Sequence, residues 1–193
     1  MICWSQVTHD KIWLPDLSSI FINIENYMTK TLSAALTDFV SRFNLTNLSG
    51  QLVSQPDSEA LNLKLGQILP KWFVEVLTKY PVAGAQIEYP FYEPDGDYDG
   101  CLSIGIAKPE DILNETLECY PGLAIKDLGY FCIGLDLTGS GDQFFTTNKK
   151  GDDPPVYMVY HDVSDIGQEI EEHGLEKIAD SLSDFFTKAK PST

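Results

Sequence analysis

Residues 133–162 read IGLDLTGSGDQFFTTNKKGDDPPVYMVYHD, and no other part of the chain limits its possible folds so tightly. The segment alternates short runs of β-branched and aromatic residues with two acidic turns that contain glycine, the pattern of strands joined by hairpins. It predicts strands at Tyr130–Leu135, Gln143–Thr147 and Val156–Tyr160. Parallel neighbours need a crossover of a dozen or more residues, and these connections are too short to supply one. The strands are therefore expected to be antiparallel. Gly139-Ser-Gly141 suits a tight turn, because glycine takes up positive φ without steric cost. Asn148–Pro155, with Gly151 inside it, suits a hydrophilic hairpin connection. In the first of these strands the odd-numbered apolar positions are expected to face the core.

Elements of helical period flank the strands. Met28, Leu32, Ala35, Leu36, Phe39, Val40 and Phe43 fall on one helical face. Residues 1–26 show no period, and Asn44–Glu59, with Gly50 and Pro56, reads as a linker or long loop. Leu69-Pro70 opens a helix with a Trp72, Phe73, Val76, Leu77, Tyr80 stripe, closed by Pro81. Strands are expected at Ala85–Tyr89 and Cys101–Ile106, separated by an acidic turn at Glu93–Gly100. Pro109 begins a short helix reaching about Glu118, with Glu110 and Asp111 in its first turn, where the helix dipole favours anions. Gly174 separates an acidic helical turn (Glu169, Glu171, Glu172) from a closing helix with Leu175, Ile178, Ala179, Leu182, Phe185 and Phe186 on one face. The sum is a single α+β domain whose twisted, mostly antiparallel sheet of about five to six strands is packed by helices. Its expected limits are an N-terminal extension over 1–59, the α+β domain over 60–187 and a tail over 188–193.

Charge narrows the function classes. The chain carries 29 acidic and 13 basic side chains, a formal charge of −16. Residues 1–90 hold 8 acids and 6 bases, whereas residues 91–193 hold 21 acids and 7 bases. Such a field repels phosphate backbones, which argues against nucleic-acid binding, and it attracts and steers a basic protein partner. The sequence shows no signal-peptide pattern and no apolar run of membrane-spanning length, so a soluble cytoplasmic protein with no membrane role is expected. The four cysteines have no metal-type or disulfide-framework spacing, and Cys132, flanked by apolar residues, reads as a reduced core residue. Nothing in the sequence fixes an oligomeric state.

The motifs that carry chemistry fail when examined singly. Asp95/Asp97 and Asp152/Asp153 are carboxylate pairs, but they sit among glycines and prolines in turns open to water, where neither member gains the raised pKa of a general acid. Asp95-Gly-Asp97-Tyr-Asp99-Gly100 begins like a calcium loop, yet Ile106 stands where the closing bidentate glutamate belongs. Gly139-Ser-Gly141 lacks the third glycine or following lysine of a phosphate loop, and Asp142 opposes a phosphate there. No nucleophile elbow occurs. His9, His161 and His173 lack metal-ligand spacing; His161, beside Asp162, is expected to make a strand-end hydrogen bond. No catalytic residue, metal site or cofactor is expected.

Taken in order, four pieces resemble the SUKH superfamily of Smi/Knr-type domains over roughly residues 60–187. They are Gly66…Leu69-Pro70 leading to Trp72 and Leu77; Ile133-Gly134-x-Asp136-x-x-Gly139-x-Gly141-Asp142-x-Phe144-Phe145; Pro155-Val156-Tyr157 with His161-Asp162; and Ser181-Leu182-x-x-Phe185. Leu182 stands where an aromatic is common, and residues 1–59 have no counterpart. The resemblance implies a helix-covered twisted sheet without a catalytic set. It also implies an immunity protein that neutralises a cognate bacterial toxin, often a nuclease, by direct binding; the alternative is a regulatory or scaffolding module with cellular clients. On that reading the partner contacts are Tyr92, Glu93, Asp95, Asp97, Tyr98, Asp99, Asp136, Asp142, Asp152 and Asp153, with acids steering a basic toxin domain and aromatics anchoring it.

Overall fold

The computed structural model describes residues 28–43, 50–91 and 100–192. Its seven strands are β1 (Gln86–Pro90), β2 (Cys101–Ile106), β3 (Tyr130–Asp136), β4 (Gln143–Thr147), β5 (Val156–Val159), β6 (Leu175–Ala179) and β7 (Lys190–Pro191). They form one sheet in the order β6-β5-β4-β3-β2-β1-β7, and every pairing is antiparallel. The helices are α1 (Lys30–Phe43), α2 (Gln55–Lys64), α3 (Lys71–Lys79), α4 (Pro109–Leu117), α5 (Gly122–Ile125), α6 (Gly167–His173) and α7 (Leu182–Lys188). The α+β class and the antiparallel sheet agree with expectation. The seven strands exceed the five to six expected.

The two additional strands come from the C-terminal region, where one expected helix resolves into two elements. Leu175–Ala179 is β6 and only Leu182–Lys188 is helical. The apolar spacing across both pieces mimics a helical period, but Asp180-Ser181 divides them. Ser181 is the N-cap of α7, its Oγ accepting from the Asp184 N–H at 3.0 Å. Lys190–Pro191, expected to be tail, pairs with Ile87 and Glu88 as β7.

The expected loop at 44–59 is also corrected over its described part. Ser54 caps α2, its Oγ accepting from Asp57 N–H, and Pro56 sits in the first helical turn, where a missing N–H costs nothing. The α2–α3 connection carries positive φ at Gly66 and Gln67, and the Asn62 side chain clamps it by bonding both the N–H and the C=O of Leu69.

Within the sheet, β3 is buried on both faces rather than at odd-numbered positions alone. Tyr130 and Cys132 are as enclosed as Phe131 and Ile133. The Phe131 ring meets Trp72 and Phe73 of α3, while Tyr130 packs edge-on against Tyr157 and donates to Glu171 of α6 at 3.1 Å. β2 pairs with β3 only through Ile104–Ile106. Beyond that point α4 lies beside β3, and the buried Thr116 hydroxyl accepts the Cys132 N–H at 3.1 Å, so the ladder stays satisfied without a strand. Cys132 is wholly buried and in no disulfide, and burial pushes its thiol pKa up.

The sheet curls strongly. Tyr89 of β1 donates its hydroxyl to the Ile178 carbonyl of β6 at 3.0 Å, across the width of the sheet, and its ring stacks on Phe185 of α7. α1 packs on α7, with Leu32, Leu36, Phe39 and Phe43 buried in the same core as the sheet residues. Arg42, the only arginine in the chain, donates to the Ala189 carbonyl and, at 2.7 Å, to the Phe186 carbonyl. These are orphan acceptors at the C-terminus of α7, where a cation also complements the helix dipole. No helix among the described residues is long and apolar enough to cross a membrane.

Candidate functional site

Antiparallel order decides which acidic turns meet. The β3–β4 turn, the β5–α6 connection and the two ends of the β1–β2 connection (Phe91 and Gly100) lie at one end of the sheet. The β4–β5 hairpin lies at the other. Five residues of β4 separate the two ends by about 17 Å. Asp136 and Asp142 therefore share one end, and Asp152 and Asp153 occupy the opposite end. Tyr92, Glu93, Asp95, Asp97, Tyr98 and Asp99 lie outside the described residues, and with them all of the calcium-like loop except Gly100.

Asp136 organises its turn. Its carboxylate accepts from the Thr138 N–H (3.1 Å), the Thr138 hydroxyl (2.8 Å) and the Ser140 N–H (2.6 Å). Partial burial acts to raise its pKa, but the donors at Thr138 and Ser140 outweigh it and hold the carboxyl below its ordinary value. Gly139 and Gly141 have φ of +89° and +90°, as this tight path requires. Asp142 ties the turn to the end of β5. Its Oδ1 accepts the His161 N–H at 3.0 Å and lies 2.8 Å from His161 Nδ1. The expected strand-end hydrogen bond of His161 is thus made, with Asp142 as acceptor. That bond, followed by the charges of Asp142 and Asp162, raises the histidine pKa.

These fixed carboxylates stand beside exposed groups that strand spacing alone did not single out. Leu137, Val163 and Ile166 are 44%, 40% and 53% exposed, and Asp162 and Asp165 are exposed between β5 and α6. Leu137 leans over Gly105 of β2, which has no side chain to displace it. Together the end presents rigid negative charge interleaved with large apolar side chains. Such a surface can steer a cationic partner and then offer it apolar contact. The apolar members were missed because each stands alone among polar neighbours in sequence, and only the topology assembles them.

At the opposite end Asp153 has a structural role. It accepts from the Ser183 N–H (2.8 Å) and the Ser183 hydroxyl (2.5 Å), satisfying an orphan donor in the first turn of α7 and pinning the hairpin to it. Among the described residues no three His, Cys, Asp or Glu side chains converge in a way that could hold a metal ion. No protein-family model matches the chain, and no curated protein matches it significantly.

Proposed function

We propose that this protein is a non-enzymatic, SUKH-type immunity protein that binds a basic toxin domain stoichiometrically in the cytoplasm and blocks it. The observation that carries the reading is the surface at the β3–β4 end: Asp136 and Asp142 held in place by backbone and side-chain donors, with Leu137, Val163 and Ile166 exposed among them. A charge of −16 concentrated in the second half of the chain supports a cationic partner. A nuclease-type toxin fits this description, because a protein that holds phosphate must be basic where it does so. The acids set the association rate and its salt dependence, and the apolar residues slow release.

The experiment is capture of partners from the native host on the immobilised protein at low salt, followed by elution at high salt. One basic protein recovered in 1:1 ratio, whose toxicity the pure protein suppresses, supports the proposal. A varied set of neutral clients supports a scaffolding module and overturns it. With the partner in hand, Asp162→Asn and Asp165→Asn together are expected to slow association several-fold and flatten its salt dependence, because both carboxylates are exposed. Leu137→Ser is expected to accelerate dissociation instead.

A further inference from the structure

A cleft of about 610 Å³ lies at the end of the sheet opposite the Asp136–Asp142 turn, beside the β4–β5 hairpin that also carries Asp152 and Asp153, and the charge of its lining residues is the reverse of the chain's. Lys64, Lys126 and Lys149 line it, with Asp127 as the one carboxylate among its lining residues. The three lysines come from separate elements: the last turn of α2, the 3₁₀ turn at Lys126–Leu128 and the β4–β5 hairpin. Asn148 fixes these walls together, donating to the Ile68 carbonyl at 3.0 Å across 80 residues of chain. Lys149 is exposed, but its stem lies back across Gly129, with Cε and Cγ 3.1 and 3.2 Å from the point a Cβ on Gly129 would occupy.

Acids outnumber bases by 29 to 13 in this sequence, so counter-charges are plentiful. Yet among the described residues neither Lys64 nor Lys149 has a carboxylate within 4.0 Å, and Lys126 meets only Asp127 at 3.6 Å. Three lysines bordering one concavity repel one another, weakly where water screens them, and an anion between them turns that repulsion into attraction. The helix dipole of α2 accounts for Lys64, which sits in its last turn, but it does not account for Lys149, which is on a hairpin. The Asp136–Asp142 end is about 17 Å away, beyond the roughly 8 Å Debye length of physiological salt, so its repulsion is largely screened here; of the nearer hairpin carboxylates, Asp153 is engaged by the Ser183 N–H and hydroxyl of α7. Lysine is a compact point charge suited to a phosphoryl group, and the cleft lies within the size range of small-molecule sites.

We propose that this cleft binds a phosphoryl group, carried by a free small phosphomonoester, and that it does so independently of the surface at the acidic end. The test is NMR titration of the full-length, ¹⁵N-labelled protein with inorganic phosphate and with glycerol 3-phosphate, each against sodium chloride at matched ionic strength. A peptide containing phosphoserine forms a third arm. Saturable shifts of the Gly66, Gln67, Gly129 and Lys149 amides with the phosphates, absent with chloride, are expected. Lys149→Met is expected to weaken binding at least fivefold while leaving the thermal midpoint in phosphate-free buffer unchanged. Binding of the peptide at least tenfold tighter than glycerol 3-phosphate would overturn the assignment to a free small molecule. Shifts no larger than those with chloride, or equal affinity in wild type, Lys149→Met and Lys64→Met, would overturn the site altogether.

Discussion

Replacing Tyr89 by phenylalanine keeps the ring that stacks on Phe185 and removes only the hydroxyl that reaches Ile178. The Ile178 carbonyl is then left without that donor in a buried setting, so the variant is expected to lose about 2 kcal/mol in urea denaturation. Burial, then Asp184 and Asp180, raise the tyrosine pKa, so the hydroxyl remains a donor throughout the range in which the protein is handled. Arg42 is a second test at this scale. Arg42→Met keeps apolar contact but leaves the Phe186 and Ala189 carbonyls without these donors, with an expected loss of about 3 kcal/mol. Arg42→Lys is expected to recover only part, because one ammonium does not reproduce the planar fork. His161 and Asp136 respond to pH in opposite senses. His161 has a raised pKa, so its charged pairing with Asp142 is present at low pH and is lost as pH rises through the folded value. Asp136 has a lowered pKa, so its contribution is present above the unfolded value and is lost as pH falls through the folded one. NMR titration of the His161 ring is expected to show the raised pKa, and Asp142→Asn is expected to bring it down.

Legibility in the sequence differed from element to element for identifiable reasons. β2, β4 and α4 lie within a residue of expectation because turn chemistry brackets them: Gly100 before β2, Gly141 and Asn148 around β4, Pro109 at the head of α4. α2 is hidden in the sequence because Pro56 reads as a breaker, although the same residue within two positions of a serine N-cap marks a helix start. β6 and α7 merged because Leu175, Ile178, Ala179 and Leu182 satisfy a helical period by coincidence, while Ser181 with Asp184 three residues on already marked a new N-terminus. The burial of β3 on both faces over Tyr130–Ile133 is not legible in the alternation, since tertiary contacts to α3 on one side and α6 on the other decide it. The turn at Asp136–Asp142 was located correctly in sequence; its exposed apolar neighbours depend on how strands far apart are ordered. The β4–β5 hairpin gives an element-scale prediction. Asp153→Ala frees the Ser183 N–H and detaches the hairpin from α7, and is expected to cost about 1–2 kcal/mol with no change in charge at the opposite end.

For the whole molecule, the arrangement of charge matters more than its total. Asp136 and Asp142, fixed by donors, occupy one end of the sheet, and a lysine-lined cleft lies at the other, beside the hairpin of Asp152 and Asp153. Charge reversal of Asp162 and Asp165 to lysine is therefore expected to abolish salt-sensitive capture of a basic partner, whereas charge reversal at Lys149 leaves that capture unchanged. Surface plasmon resonance over a salt series would separate the two. The pairing of β7 with β1 has a further consequence. Ile87 faces Pro191, roughly a hundred residues away along the chain, and Tyr89 meets Ile178 over nearly the same span. Closing loops of that length is entropically costly before any contact rewards it. From β1 to β5 each strand pairs with the next one in the chain, so these pairings close comparatively short loops, but the curled sheet is sealed only when its last strand returns to its first. Refolding is accordingly expected to end in a slow step reported by the Tyr89 environment, with mutations at this seam speeding unfolding far more than they slow collapse.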